Sequence, residues 1–188
     1  SQHRTRHASL RQEYLHQPTA RAMGPGRELS GQRKDGSQFP VEIGLSPIQL
    51  GGEMAILSSI YDVTKRKQAE EALRTSERAL ELAPEWPESH IAAGIAHCMV
   101  QDYDAANAEF EKALELNPES YEALYFFGRS KIHEGDLERA RELFERAAEI
   151  RPEDYQSVLL LPQLYHSLGD PEREMEAARQ GIERARAV

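Results

Sequence analysis

A spacing of 34 residues constrains this chain more than any other feature. Displacing the sequence by that interval aligns Pro84 with Pro118 and Pro152, Gly94 with Gly128, Gly135 with Gly169, and Asp102 with Asp136 and Asp170. The register continues without a gap: Ala72, Ala106 and Ala140 coincide, as do Ala79, Ala113 and Ala147, Phe110 and Phe144, and Leu82, Leu116 and Ile150. A chain that repeats in this way stacks copies of one supersecondary unit, none of which buries its apolar face alone.

Each period reads as two helices. Phe110, Ala113, Leu114 and Leu116 recur at helical spacing, and Pro118 ends the run because proline cannot continue the hydrogen-bond ladder. Gly94 and Gly128 fall mid-helix at a cost of about 1 kcal/mol each relative to alanine, which close approach of two helices explains. Gly135-Asp136 and Gly169-Asp170 mark the turn inside each hairpin, with aspartate capping the following helix.

This pattern resembles the tetratricopeptide repeat family over residues 87–118, 121–152 and a degenerate third unit, 155–188, preceded by a half-repeat, 64–84. The third unit carries Pro162 for glycine, Glu174 for alanine and Arg184 for Leu116 or Ile150, and is expected to be a solvent-facing cap. The resemblance implies an all-α superhelix of about 3.5 repeats whose first helices line a concave groove for a peptide or another domain. Carried over by position, the groove presents Glu88, Ile91, Ile95, Cys98 and Met99, then Glu122, Tyr125, Arg129, Ile132 and His133, then Gln156, Leu159, Gln163 and His166. Tyr125 and Arg129, one turn apart, are the expected anchors. The Lys/Asn/Arg clamp with which some relatives hold chaperone carboxylates does not appear, so chaperone-tail binding is not expected.

Residues 27–63 change to an alternating period. Phe39, Val41, Ile43 and Leu45 fall on one side of a strand, joined through Lys34-Asp35-Gly36-Ser37 to a preceding strand, Arg27–Lys34, and through Gly51-Gly52 to Met54–Asp62. A helix over His3–His16 precedes these three antiparallel strands. His3-Arg4 with His7, Tyr14, Met23-Gly24, Glu28-Leu29, Arg33-Lys34-Asp35-Gly36-Ser37, Phe39-Pro40-Val41-Glu42-Ile43, Leu45-Ser46-Pro47-Ile48 and Asp62-Val63-Thr64 resemble the C-terminal half of a PAS sensor domain. The resemblance covers residues 1–66. In that family the Asp-[Ile/Val]-Thr turn passes the last strand into a signalling helix, so Asp62 and Thr64 are the candidate signal junction, with Lys65 where relatives carry an acid. The front strands and early helices that complete the family's pocket are missing, so no bound flavin or haem is expected, and the strand Met54–Asp62 is expected to self-associate through its open edge.

Charge divides at the same boundary. Residues 1–66 hold nine Lys/Arg against six Asp/Glu, and residues 67–188 hold fourteen against twenty-six, a net charge of −12 that argues against a nucleic-acid surface. A single cysteine, Cys98, excludes an intrachain disulfide and suits a reducing cytoplasm; no stretch has the roughly 18 apolar residues of a membrane span. His3 and His7 have the i, i+4 spacing of metal ligands without a third nearby, His90 and His97 are read as packing and surface residues, and Cys98 as packed. Gly24-Pro25-Gly26 reads as a turn, and the acid-rich helix 134–149 as a solvated face laced by pairs such as Glu142 with Arg146. The expectation is therefore an α+β half of a PAS domain, one helix plus a three-stranded antiparallel sheet, over 1–66, followed by a tetratricopeptide array over 67–188. This is a non-enzymatic, bacterial-type signalling module that binds protein, with no cofactor, metal, nucleic acid or membrane partner. The rival reading makes it the regulatory part of a larger sensor kinase or cyclase whose catalytic domain lies outside these residues.

Overall fold

The computed structural model describes Tyr14, residues 18–23 and residues 29–186. The expected helix over His3–His16, apart from Tyr14, and the Gly24-Pro25-Gly26 turn lie outside the described residues. The chain divides into two compact units, residues 1–68 and 69–188.

The first unit holds an antiparallel sheet. Its strands are β1 (Arg21–Ala22), β2 (Leu29–Gln32), β3 (Gln38–Leu50) and β4 (Glu53–Asp62). Four strands stand where three were expected, because the long β3 pairs on one side with β2 near its start and with the short β1 further along. On its other side β3 pairs with the whole of β4, from Val41 opposite Asp62 to Leu50 opposite Glu53. Gly51 and Gly52 both take positive φ (60° and 89°), which a two-residue hairpin with native twist requires. The register places Val41, Ile43 and Ile60 on one face, Val41 being buried and Ile60 exposed. Among the described residues β4 has no strand on its second edge.

Seven helices complete the described chain. These are α1 (Thr64–Leu82), α2 (Pro87–Met99), α3 (Tyr103–Leu116), α4 (Tyr121–Glu134), α5 (Leu137–Ile150), α6 (Gln156–Leu168) and α7 (Pro171–Arg186). The hairpins α2–α3, α4–α5 and α6–α7 stack through a core of Phe110, Leu124, Phe127, Leu143 and Phe144, each at most 1 % exposed. Cβ atoms built on Gly94 and Gly128 would lie 2.6 Å from Phe110 and 2.9 Å from Phe144, so the missing side chains make room for the facing rings. Asp102, Asp136 and Asp170 accept bonds from backbone N–H groups three residues on, at 3.3, 3.2 and 3.1 Å, capping α3, α5 and α7.

Two expectations need correction. Glu142 pairs with Arg139 at 2.9 Å, not with Arg146, whose guanidinium donates to the Pro118 carbonyl at 3.1 Å. Arg184 is half-buried and not solvent-facing: its guanidinium donates to the carbonyls of Ala148 (3.3 Å) and Asp154 (3.4 Å), tying α7 to the end of α5.

Candidate partner-binding groove and junction

The first helices of the three hairpins, α2, α4 and α6, carry the expected groove residues. Tyr125 is half-buried at the centre of an aromatic cluster, stacked on Tyr121 (5.8 Å between centroids) and edge-on to Phe126 (5.4 Å) and Phe144 (5.8 Å). Arg129 is exposed, with its guanidinium carbon 6.0 Å from the Tyr125 ring centroid. Met99 and Leu159 are each 48 % exposed, and Gln163, His133 and His166 are open to solvent. His133 stacks on Tyr103 at 6.1 Å, and His166 Nδ1 lies 3.1 Å from the Glu174 carboxylate. Ile95 is half-buried against two core clusters. Ile91 is buried with Ala113 and Ala123, so its expected place in the groove gives way to packing between helices. Cys98 is half-buried, and burial pushes its thiol up from the ordinary range.

The tyrosines that join consecutive hairpins are held neutral. Tyr121 donates to Asp154 and accepts from Ser157 Oγ at 3.2 Å; burial, reinforced by the Asp154 carboxylate, pushes its phenol up to about 12. Arg151 sits 4.3 Å over the Tyr121 ring and pairs with Glu122 at 2.7 Å. Tyr165 donates to Glu145 and is likewise pushed up to about 12, first by burial and then by that carboxylate.

A concavity of about 670 Å3 opens between α5, α6 and α7, away from the groove residues. Sequence reasoning passed over it, although the register contains its cause. Its apolar lining includes Ala148, Val158, Leu161 and Ala177, with Arg184 at the rim. One period earlier those positions hold Leu114, Leu124, Phe127, Leu143 and Ile150, which fill the space. Polar ties span the gap instead, for Glu145 receives Arg141 at 2.6 Å, Arg173 at 4.0 Å and the Tyr165 hydroxyl.

At the junction, Asp62 Oδ1 accepts the Thr64 amide at 2.9 Å and the Thr64 hydroxyl, and its Oδ2 accepts Arg33 at 2.8 Å. Those bonds, the Thr64 hydroxyl first, hold the carboxyl below its usual range. Arg33 also lies 4.2 Å over the Phe39 ring, and that ring covers Gly31, where a Cβ would stand 2.7 Å away. Asp62 thus links Arg33, in the turn after β2, to the first residue of α1.

Residues 99–161 match the tetratricopeptide repeat family. This stretch is tetratricopeptide repeat. Solved structures of MamA share the fold of the helical region. One aligns over 63 % of this chain and 70 % of its own, with TM-score 0.60 and 19 % identity. A form titled MamA RS-1 ArsTM double mutant covers 66 % of this chain and 70 % of its own (TM-score 0.59, 18 % identity), and MamA MSR-1 C2 covers 66 % and 72 % (TM-score 0.56, 21 % identity). Identities at this level carry the fold alone. The sensor protein FixL of Bradyrhizobium diazoefficiens is 31 % identical over 71 residues, which are 38 % of this chain and 14 % of that protein. A sensor among the relatives agrees with the sensor-domain resemblance of the strand segment. The tetratricopeptide repeat is a protein–protein interaction fold, and no helix among the described residues is long and apolar enough to cross a membrane.

Proposed function

We propose that the array captures a protein or peptide segment along α2, α4 and α6, with Tyr125 and Arg129 as anchors. The observation that carries this reading is the half-buried Tyr125 ring, supported from below by Tyr121, Phe126 and Phe144, with the exposed Arg129 guanidinium beside it. A preorganised aromatic beside an arginine is the kind of pair that dominates binding energy. Met99 on α2, His133 on α4, and Leu159, Gln163 and His166 on α6 are exposed and complete the proposed surface.

The test is a pull-down with the partner identified by mass spectrometry and its affinity then measured with purified components. Y125A/R129A should weaken binding by about tenfold or more, equivalent to about 1.4 kcal/mol, with the helical circular-dichroism signal unchanged. Unchanged affinity moves the binding surface elsewhere.

The junction supports a sensing role for the whole. Helix α1 is continuous from Thr64 to Leu82 while the division between the two units falls after Gln68 within it, and that continuity supports our reading that the Asp62–Thr64 turn and the repeats are coupled through one helix. One alanine inserted after Lys67 turns the first residues of α1 by about 100° relative to the rest of that helix. Signal-dependent partner binding in the full-length protein should then be lost while the array keeps its stability. Intact coupling would reduce α1 to a tether. The sensor-protein match also supports the second reading, a regulatory piece of a larger signalling enzyme, since it spans only 14 % of that relative.

A further inference from the structure

Of the fourteen Lys and Arg that accompany twenty-six acids over residues 67–188, two stand on the groove helices α2, α4 and α6: Arg129 and Lys131, both on α4. Lys131 is engaged, for its side chain is 15 % exposed, its ammonium pairs with Glu134 at 3.2 Å and it lies 5.3 Å over the Phe127 ring. Arg129 is exposed and, among the described residues, donates to no carboxylate or carbonyl; the contact it makes is with the Tyr125 ring, 6.0 Å from the centroid. Every other arginine from α2 through α6 has an oxygen acceptor. Arg139, Arg141 and Arg151 sit on carboxylates and Arg146 on the Pro118 carbonyl.

The register makes Arg129 an exception as well. The same position holds Ile95 one period earlier and Gln163 one period later, so the repeat itself calls for no cation there. A ring at this distance engages the face of the guanidinium and leaves its five N–H donors to water. Two of those donors match the two oxygens of a carboxylate in one plane. In a domain so rich in acids, a guanidinium left without one is open to a carboxylate from outside. The net charge of −12 limits what can bring it, because a run of acids is repelled where a single acid among apolar residues is not. Exposed apolar surface for such neighbours is present at Met99 and Leu159, each 48 % exposed.

Resting on the groove reading above, we propose that Arg129 is a specificity-determining residue that takes one aspartate or glutamate side chain from a protein segment whose flanking residues are apolar and carry no further acid. Tyr125 holds the segment, and Arg129 selects which segment is held.

The probe is a displayed library of random linear peptides, selected on the full chain and in parallel on R129E, with Y125A as the control for the groove. Arg129 is exposed, so its variants should keep the helical circular-dichroism signal of the parent. Peptides enriched on the parent should carry one Asp or Glu at a common position beside apolar residues, and those enriched on R129E should carry Lys or Arg there. Synthetic peptides of the enriched sequence then give affinities. Replacing the acid by its amide should weaken binding by about tenfold, R129Q should weaken it as much, and the two changes together no more than either alone. Losses that add in full, or the same acid preference on R129E, overturn the proposal and leave the groove reading standing wherever Y125A still weakens binding. Enriched peptides indifferent to Y125A, or a library that yields no enriched sequence, count against the groove reading and remove this inference with it. An oligoglutamate peptide that binds as tightly as the enriched one refutes the requirement for a single acid.

Discussion

The second and third hairpins occupy the same register and are built from different contents. In α4–α5 a bare Gly128 receives the Phe144 ring, and Leu124, Phe127, Leu143 and Ile150 fill the layer around it. In α6–α7 the corresponding residues are Pro162 and Ala178, then Val158, Leu161, Ala177 and Arg184. Nearly every core position is smaller or polar, yet the helices still pair. What persists is local: Asp136 and Asp170 cap alike, and Gly135 and Gly169 end their helices in the left-handed region at φ 84° and 77°. What is lost in volume is replaced by polar ties on Glu145 and by Arg184 on the Ala148 and Asp154 carbonyls. Turn and cap chemistry therefore sets where the helices lie, while the core decides how firmly they are held.

The largest contrast should come from the rings. Phe144→Ala opens a cavity in a fully buried layer and should cost about 3–5 kcal/mol, read by urea unfolding. Ala178→Ser at the same register position, where the side chain is half-buried, should change stability by about 0.5 kcal/mol. Similar losses at both sites would mean that the third hairpin is packed like the second. The glycine and proline positions should respond with opposite signs. A Cβ at Gly128 meets Phe144 at 2.9 Å, so Gly128→Ala should cost about 1–3 kcal/mol despite the better helix propensity. Pro162 sits inside α6 without an N–H, so Pro162→Ala should raise stability by up to about 3 kcal/mol. A loss at Pro162→Ala breaks the comparison.

Alkaline titration probes the joints between hairpins. Tyr121 and Tyr165 both have folded-state phenols pushed up to about 12 from an ordinary 10, so their contribution is whole below about pH 10 and is lost as the pH climbs through about 12. Ultraviolet phenolate absorbance should show two of the seven tyrosines ionising late, together with unfolding of the array. Y121F should ease the alkaline loss at the α4–α6 contact and leave Tyr165 late; early ionisation of both would show that neither is shielded.

These outcomes bear on why the fold was legible in the sequence and parts of the site were not. Helix order, caps and turns depend on residues within a few positions of one another, so proline, glycine and aspartate at fixed spacing announce them. The close approach at Gly94 and Gly128 was legible for the same reason, since a mid-helix glycine has a cost that must be recovered somewhere. His90 Nδ1 lies 2.6 Å from a Glu109 carboxylate oxygen 19 residues away, and nothing in the order of the histidines along the chain distinguishes that pair from a surface one. Position alone puts Ile91 in the groove, whereas its burial depends on how α2 meets Ala113 and Ala123. The short β1 escaped because two residues, Arg21 and Ala22, are too few to show any alternation.

The smallest effect tests the turn itself. Gln101 stands one period before Gly135, in the turn between α2 and α3, and takes φ 62°, the single non-glycine residue with positive φ among those described. Its side chain is exposed, and the left-handed conformation costs an L-residue about 1–2 kcal/mol through the clash of Cβ with its own backbone. Asp102, next in the chain, still caps α3, and its amide donates to the His97 carbonyl at 3.0 Å, as the Asp136 amide does to the Lys131 carbonyl at 3.0 Å. The turn is thus closed in the same way with and without glycine, and the glutamine bears the strain. Gln101→Gly should stabilise the array by about 0.5–1 kcal/mol, less than the full steric cost because glycine also gives the unfolded chain more freedom. Gly135→Gln, the exchange in the second hairpin, should destabilise by a similar amount. Chemical unfolding of both variants gives the comparison directly, and equal and opposite shifts would show that the two turns are interchangeable. A Gln101→Gly variant no more stable than the parent would mean that the glutamine side chain contributes a compensating contact, and that the first turn is held by its sequence and not merely by its place in the register.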